Sequence, residues 1–188
     1  MRTKLLLVAA AALLAAGCGD AQNTPAAKEE ATARERRDTM LTITSSAFKA
    51  GERIPRKHTG EGADVSPPLA WTGAPAGTRE FALVCDDPDA PTPQPWVHWV
   101  LYKVPGDRTS LAEGSADSAL QGKTSFGHTR YGGPMPPPGH GVHRYYFKLY
   151  ALDAPVNLKP GATKEELLAA MKGHVLAQAE LIGTYERK

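Results

Sequence analysis

The chain has 188 residues, of which 41% are hydrophobic and 22% charged, a length and composition typical of one globular domain with a single core. Its 22 basic residues are nearly balanced by 20 acidic ones, which excludes a strong overall field toward nucleic acid. Two cysteines are too few for a disulfide-stapled fold, so the domain must be stabilised by its hydrophobic core.

The amino end has the pattern of an export signal. Arg2 and Lys4 precede an apolar run that is too short to span a bilayer and that ends in Gly17-Cys18. This end resembles a bacterial lipobox, in which cleavage before Cys18 makes its thiol the site of lipid attachment. An ordinary secretory signal that leaves Cys18 as a free thiol is the alternative. We therefore expect residues 1–17 to be a lipoprotein signal peptide that places the protein, lipid-anchored to a membrane, in the bacterial cell envelope.

Residues 18–39 are rich in Ala, Glu, Lys and Arg and lack an apolar face long enough to pack, which predicts a disordered tether. The folded domain is therefore predicted to occupy residues 40–188. Removing residues 1–17 removes Arg2 and Lys4 and no acid, so the mature chain would carry 20 basic and 20 acidic residues.

Most of the predicted elements are strands. Alternating or continuous apolar patterns predict strands at residues 40–48, 69–71, 80–86, 96–102, 142–152 and 177–186. The turn-rich segment 105–127 is predicted to be a surface excursion. One helix is expected from Lys164 to Met171, because Thr163 and Glu166 form a capping-box pattern at its start.

Three carboxylates, those of Asp86, Asp87 and Asp89, lie within four residues at the exit of the apolar strand 80–86. One interpretation is a solvated turn whose aspartates accept hydrogen bonds from local backbone amides. The other is that Asp87 or Asp89 faces inward and orients a histidine or a ligand, since an ionised group is buried at high cost unless it has a partner.

The next strand contains His98. A period of two places Trp96, His98 and Val100 on one face and Val97, Trp99 and Leu101 on the other. A single histidine in such a strand is more often a hydrogen-bonded core residue than a functional one. His98 gains interest because a second histidine-bearing strand and the aspartate loop could meet it.

A proline- and glycine-rich loop at residues 127–141 leads into that second strand. Alternating Pro and Gly favour an ordered, sharply folded loop. Along the strand, His143, Tyr145 and Phe147 share one face and Arg144 lies on the other. These side chains suit either a polar binding surface or a half-buried strand in which the histidine and the tyrosine satisfy each other.

Two long motifs in this order carry a family resemblance. The segments are Asp87-Pro88-Asp89-Ala90-Pro91 with Trp96-Val97-His98-Trp99, and Gly133-Pro134 through His143-Arg144-Tyr145. They resemble the phosphatidylethanolamine-binding protein family, in particular its bacterial branch of Raf-kinase-inhibitor-like proteins, over residues 43–187. The resemblance implies a mainly β fold: a large central antiparallel sheet, a smaller second sheet, a few peripheral helices and a small anion-binding cavity at one end.

The resemblance also implies the site. The matching cavity residues would be Asp87, Asp89, His98, His143 and Tyr145, with Pro134, Pro136 and Pro137 shaping the rim. Two imidazoles and a phenol can donate hydrogen bonds to a phosphate, whereas the aspartates would repel it and would more reasonably orient the imidazoles.

The function so implied is non-enzymatic binding of a small anion or of a phosphorylated, phosphatidylethanolamine-like head group, with inhibitory or scaffolding action on a protein partner. No cofactor is expected, and the bacterial branch implies a homodimer. One alternative is a metal-dependent hydrolase that uses His98, His143 and Asp87 as ligands. A protease or kinase inhibitor is another. A serine hydrolase comes last, because no GxSxG elbow is present.

Overall fold

The computed structural model describes residues 40–116 and 119–188. The predicted signal peptide, the tether and Cys18 lie outside these ranges. In chain order the elements are β1 (Thr42–Thr44), a 3-10 helix (Arg56–His58), β2 (Leu69–Thr72), β3 (Glu80–Asp87), β4 (Trp96–Pro105), β5 (Ser110–Leu111), β6 (Leu120–Gln121), β7 (His143–Leu152), α1 (Lys164–Met171) and β8 (Val175–Tyr185).

The strands form two antiparallel sheets. The small sheet has the order β1-β2-β5, and the large sheet has the order β6-β4-β3-β7-β8. Strand β3 lies at the centre of the large sheet and all of its residues are buried, which explains its continuous apolar sequence, since both faces are covered. The predicted fold class is confirmed.

Two hydrophobic clusters hold the layers together. The first joins the two sheets, with Ile43 and Trp71 from the small sheet packed with Phe81 and Phe147 of the large one. The second lies on the other face of the large sheet, where Leu167 of α1 packs among the outward side chains of β3, β4 and β7. The large sheet is thus the middle of three layers, and its strands can be held rigidly at the ends where loops emerge.

The helix follows its sequence signal. The Thr163 side chain accepts a hydrogen bond from the Glu166 amide at 3.2 Å, and the Glu166 carboxylate accepts one from the Thr163 amide at 2.8 Å. These bonds satisfy amides that the first turn of a helix leaves free. Within the described ranges, no helix is long and apolar enough to cross a membrane.

The segment 105–127 is more ordered than predicted, because it contributes β5 and β6, which pair with β2 and β4. Each strand is only two residues long. A strand of that length has no readable period, so its pairing follows from the neighbouring strand rather than from local sequence.

The predicted face alternation of β4 is wrong at one point. Cys85 pairs with Trp99 and Asp86 with Val97, so His98 is the additional residue of a β-bulge. Val97 therefore joins Val100 in the second cluster, while Trp99 stays in the first. A bulge changes the direction of the strand's side chains, and this one turns His98 toward Tyr145, with the two ring centroids 5.0 Å apart.

Candidate functional site

The topology brings the candidate residues together at one end of the large sheet. Strand β3 runs antiparallel to both β4 and β7, so its last residues lie beside the first residues of those two strands. Asp87 ends β3, His98 lies near the start of β4, and His143 and Tyr145 open β7. Residues far apart in the chain therefore become neighbours.

A cavity of about 200 Å³ opens at this end. Its lining combines a few polar groups with apolar and aromatic side chains: Asp87, Ala90, Pro91, Thr92, Trp96, His98, Phe126, Met135, Pro136, Pro137, His143 and Tyr145. The volume is below the usual range for drug-sized ligands. It suits a small ion or the head group of a larger molecule.

His143 is buried and held from two sides. Its Nδ1 lies 2.7 Å from the Asp87 carboxylate, which also accepts the amide hydrogen of Asp89 at 2.8 Å. Since the carboxylate is the acceptor, Nδ1 carries a proton and Nε2 is the remaining nitrogen. That Nε2 lies 2.8 Å from Nδ1 of His140. Asp87 therefore fulfils both interpretations of the aspartate cluster. It orients a histidine, and it also accepts a hydrogen bond from a local backbone amide.

His98 is fixed by the loop before β7. Its Nδ1 donates to the carbonyl of Gly132 at 2.7 Å, and the Gly132 amide donates to the His98 carbonyl at 2.9 Å. Burial lowers the pKa of His98, although the carbonyl of Gly132 and the charge of Asp87 act in the opposite direction. The neutral ring therefore has its proton on Nδ1 and a lone pair on Nε2.

The adjoining Gly133 permits this close approach of loop and strand, because a Cβ there would lie 2.5 Å from the His58 carbonyl oxygen. The Gly133 amide donates to Asp64 at 2.6 Å. A glycine and a carboxylate together therefore hold the loop against the rest of the domain.

Tyr145 has a buried hydroxyl group with no hydrogen-bond partner among the residues that the structure describes. Burial, reinforced by the negative charge of Asp87, raises the pKa of Tyr145, so the phenol keeps its proton. A buried hydroxyl without a partner is costly and needs an explanation. Because Tyr145 belongs to the cavity lining, a ligand that reaches this hydroxyl could accept its hydrogen bond.

Two of the predicted site residues are placed elsewhere. Asp89 is not part of the cavity lining, and its carboxylate instead binds the Arg144 guanidinium at 2.7 and 2.8 Å and the Arg144 amide at 2.9 Å. These hydrogen bonds lower the pKa of Asp89. Arg144 is exposed on the opposite face of β7, as its position in the strand predicts. Asp89 therefore fastens the aspartate loop to β7.

Pro134 is buried and is not part of the cavity lining, and its carbonyl accepts the amide hydrogen of Gly60 at 3.0 Å. Of the three prolines, Pro136 and Pro137 line the cavity. Direct ligand contact by these two prolines, and by Asp87, His98, His143 and Tyr145, stays a prediction.

Sequence reasoning did not select several residues that shape the cavity. Phe126 packs edge-on against both Trp96 and His98, with ring centroids 5.4 Å apart in each pair. Met135 completes the apolar side, and His140 contacts His143. Only the Gly-His-Gly-Val-His spacing of His140 and His143 was a usable signal, since Phe126 lies in a segment without a period.

The ligand set suggested for a metal-dependent hydrolase does not converge in this geometry. Asp87 hydrogen-bonds to Nδ1 of His143, so it would be an outer partner of that imidazole rather than a fellow ligand. Nδ1 of His98 is bonded to a carbonyl, so only Nε2 of His98 could reach a metal ion, and the proposed set of three ligands is not complete. In residues 40–116 and 119–188, no group of three or more His, Cys, Asp or Glu side chains is arranged to hold a metal ion.

Fold and site together define a two-sheet β protein with a small, partly polar binding cavity at one end of its larger sheet. The chain belongs to the phosphatidylethanolamine-binding protein family, whose family model matches residues 44–186. Membership of this family supports a non-catalytic binding protein.

Individual relatives agree. A protein named UPF0098 from Methanothermobacter thermautotrophicus is 46% identical over 153 residues, covering 78% of this chain and 99% of the relative. The crystal structure of a candidate family homologue from Chlamydia trachomatis has a TM-score of 0.76 and 40% identity, covering 80% of this chain and 99% of that one. A Mycobacterium tuberculosis protein named as a candidate lipoprotein, LppC, is 38% identical over 188 residues, covering 97% of this chain and 92% of the relative.

Proposed function

We propose that this protein binds a small oxyanion, as the free ion or as a phosphorylated head group, in the cavity at the end of the large sheet, without converting it chemically. The observation that carries the proposal is the buried hydroxyl of Tyr145, a residue of the cavity lining, which has no partner among the described residues. A phosphate oxygen could accept its hydrogen bond and remove the cost of leaving it unsatisfied.

The hydrogen-bond donors and acceptors of the cavity restrict the protonation state of the ligand. Because Nδ1 of His98 donates to Gly132, the neutral ring offers only an acceptor at Nε2. An oxyanion bound there must bring its own proton, or His98 must gain one. A phosphate species that carries a P–OH group fits, since that group can donate to Nε2 while a second oxygen accepts from Tyr145. We therefore expect binding to strengthen as the pH falls through the neutral range.

The polar contacts are few and the volume is small, so the affinity for a free ion should be weak, about millimolar. A ligand with an apolar portion should bind more tightly, because Phe126 and Met135 are partly exposed at the cavity, at 42% and 48%. Inhibition of a protease or kinase and formation of a homodimer stay predictions from the resemblance.

A titration followed by NMR tests this proposal. Inorganic phosphate and phosphoethanolamine are added separately, and the imidazole signals of His98 and His143 are followed; both should shift and saturate. His143→Ala should abolish the shift at His98 or weaken binding about tenfold or more. His174→Ala is the matched control, because His174 is exposed and its imidazole pairs with Asp153, outside the cavity lining. Unchanged signals at saturating concentrations of both probes would overturn the proposal.

We also propose that the protein is exported and anchored through Cys18. The match to the relative named as a candidate lipoprotein covers 97% of this chain, so it must extend through most of residues 1–39. Expressed in a bacterium, the full chain should label with radioactive palmitate and lose residues 1–17, whereas Cys18→Ser should do neither. Cys85→Ser is the control, since Cys85 is fully buried in β3. Equal labelling of the wild-type and Cys18→Ser chains would contradict the anchor.

A further inference from the structure

His140, which is not part of the cavity lining, contacts the nitrogen atom of His143 through which a ligand would bind. Nδ1 of His140 lies 2.8 Å from Nε2 of His143, with the two rings inclined at 60°. Because the other nitrogen of His143 is bonded to Asp87, Nε2 is the only ring nitrogen through which His143 could contact a ligand. His140 therefore stands where the ligand would hydrogen-bond.

The two histidines are supported very differently. His143 is 1% exposed and is the first residue of β7, which lies between β3 and β8 in the large sheet. His140 is exposed and lies in the loop before β7, between Gly139 at φ +73° and Gly141 at φ +88°. A Cβ at either glycine would meet nothing within 4 Å, so the backbone around His140 is loosely packed. Its imidazole can leave without disturbing the core.

We propose that His140 is an internal competitor for the anion site: its imidazole occupies Nε2 of His143 until a phosphate species that carries a P–OH group displaces it. This inference rests on the proposed function, because it concerns the same cavity. The competitor role of His140 and a role as a ligand contact predict opposite changes in affinity when the His140 imidazole is removed. A ligand contact strengthens binding, whereas a competitor weakens it by the free energy of the bond that must first be broken.

The expected size follows from that bond. A partly exposed hydrogen bond between neutral groups contributes about one kcal/mol in net terms. Removing the His140 imidazole should therefore tighten the binding of inorganic phosphate roughly 3- to 10-fold. This gain in affinity is opposite in sign to the loss that usually follows when a polar side chain near a binding site is truncated.

Calorimetric titration of the purified chain with inorganic phosphate at one fixed pH and salt concentration tests the sign. His140→Ala should bind phosphate more tightly than wild type, and His174→Ala should equal wild type. Equal or weaker binding by His140→Ala, with wild type still binding, would overturn the competitor role and leave the proposed function intact. Failure of every variant to bind would count against the proposed function instead.

A second measurement needs no anion. Diethyl pyrocarbonate modifies accessible, neutral imidazole nitrogens, and tandem mass spectrometry can follow the product at His143 separately from other sites. Without His140, Nε2 of His143 loses its partner, so the modification rate should rise several-fold, while the rate at His174 provides an internal reference. An unchanged rate at His143 would show that His140 does not protect that nitrogen and would overturn the proposal.

Discussion

Tyr145 and His143 lie two residues apart on one face of β7 and differ in how their polar atoms are satisfied. The His143 nitrogens both have partners, whereas the Tyr145 hydroxyl has none among the described residues. A side chain whose polar atom is satisfied only by a ligand stabilises the complex at the expense of the unbound fold. The effects of the Tyr145 hydroxyl on ligand binding and on stability can be separated by removing its one oxygen atom.

Tyr145→Phe should weaken phosphate binding about tenfold and leave the free energy of unfolding unchanged or raise it by about 1 kcal/mol, because a costly unpaired hydroxyl is removed. Urea denaturation and calorimetric titration measure the two effects. Tyr102→Phe is the matched control. The Tyr102 hydroxyl donates to the Lys159 carbonyl and accepts from the Ala162 amide, so its removal should cost about 1–2 kcal/mol. A similar loss of stability in both variants would contradict this account of Tyr145.

His98 should make the stability of the fold depend on pH. Burial lowers its pKa from 6.5 in the folded state, so below that value the unfolded chain binds a proton that the folded chain does not. The free energy of unfolding should therefore decrease as the pH falls below about 6.5, by up to about 1.4 kcal/mol per pH unit from this one group. Above about pH 6.5 His98 adds no pH dependence to the free energy of unfolding, since its ring is neutral in both the folded and the unfolded chain.

His98→Asn isolates this effect, because an asparagine amide nitrogen replaces Nδ1 and can still donate to the Gly132 carbonyl. Urea denaturation of both proteins between about pH 5 and about pH 8 should show a shallower decline in the variant. The other histidines are common to the two proteins and cancel in the difference. Parallel curves would mean that His98 is protonated as readily in the fold as in the unfolded chain.

At the scale of elements, the end of β3 divides neighbouring aspartates between different tasks. Asp86 is buried and binds the ammonium groups of Lys148 on β7 and Lys164 at the start of α1. It thereby fastens the helix to the sheet. Asp89, three residues later, holds the exposed Arg144. The two ion pairs should differ in energy because exposed pairs are screened by water while buried charges depend on their partners.

Asp86→Asn should therefore lower the free energy of unfolding by about 3 kcal/mol, since it leaves two partly buried ammonium groups without a carboxylate. Asp89→Asn should cost about 1 kcal/mol or less, because the Arg144 side chain is 53% exposed. Urea denaturation at neutral pH compares them. Equal losses in the two variants would refute the division of roles.

At the scale of the molecule, the members of both hydrophobic clusters, among the residues that the structure describes, are Leu41 and later residues. A chain that starts at Met40 should therefore fold, and its free energy of unfolding should match that of the full chain carrying Cys18→Ser within about 0.5 kcal/mol. Circular dichroism during urea denaturation checks this. A loss of more than about 1 kcal/mol would show that residues before Met40 contribute to the folded domain.

Much of the architecture could be read from local patterns. The strand positions follow from apolar periodicity and the helix start from its capping box, since both are determined by residues only a few positions apart. Motif resemblance supplied the sheet arrangement and six of the residues that line the cavity: Asp87, His98, Pro136, Pro137, His143 and Tyr145. The same alternation that placed His143 and Tyr145 correctly failed at His98, because a bulge is a property of two paired strands rather than of one.

The sequence alone therefore determined the longer strands and the start of the helix, and its motif resemblance nominated the side chains for ligand contact. The tertiary structure decided how those side chains are partnered. Asp87 meets His143 across 56 positions of the chain and Asp89 meets Arg144 across 55, so two similar aspartates acquire different roles. The contact of His140 with His143 and the unpaired hydroxyl of Tyr145 were decided in the same way. Hydrogen-bond partners depend on distances in space, and these are fixed only when the strands pair and the layers pack.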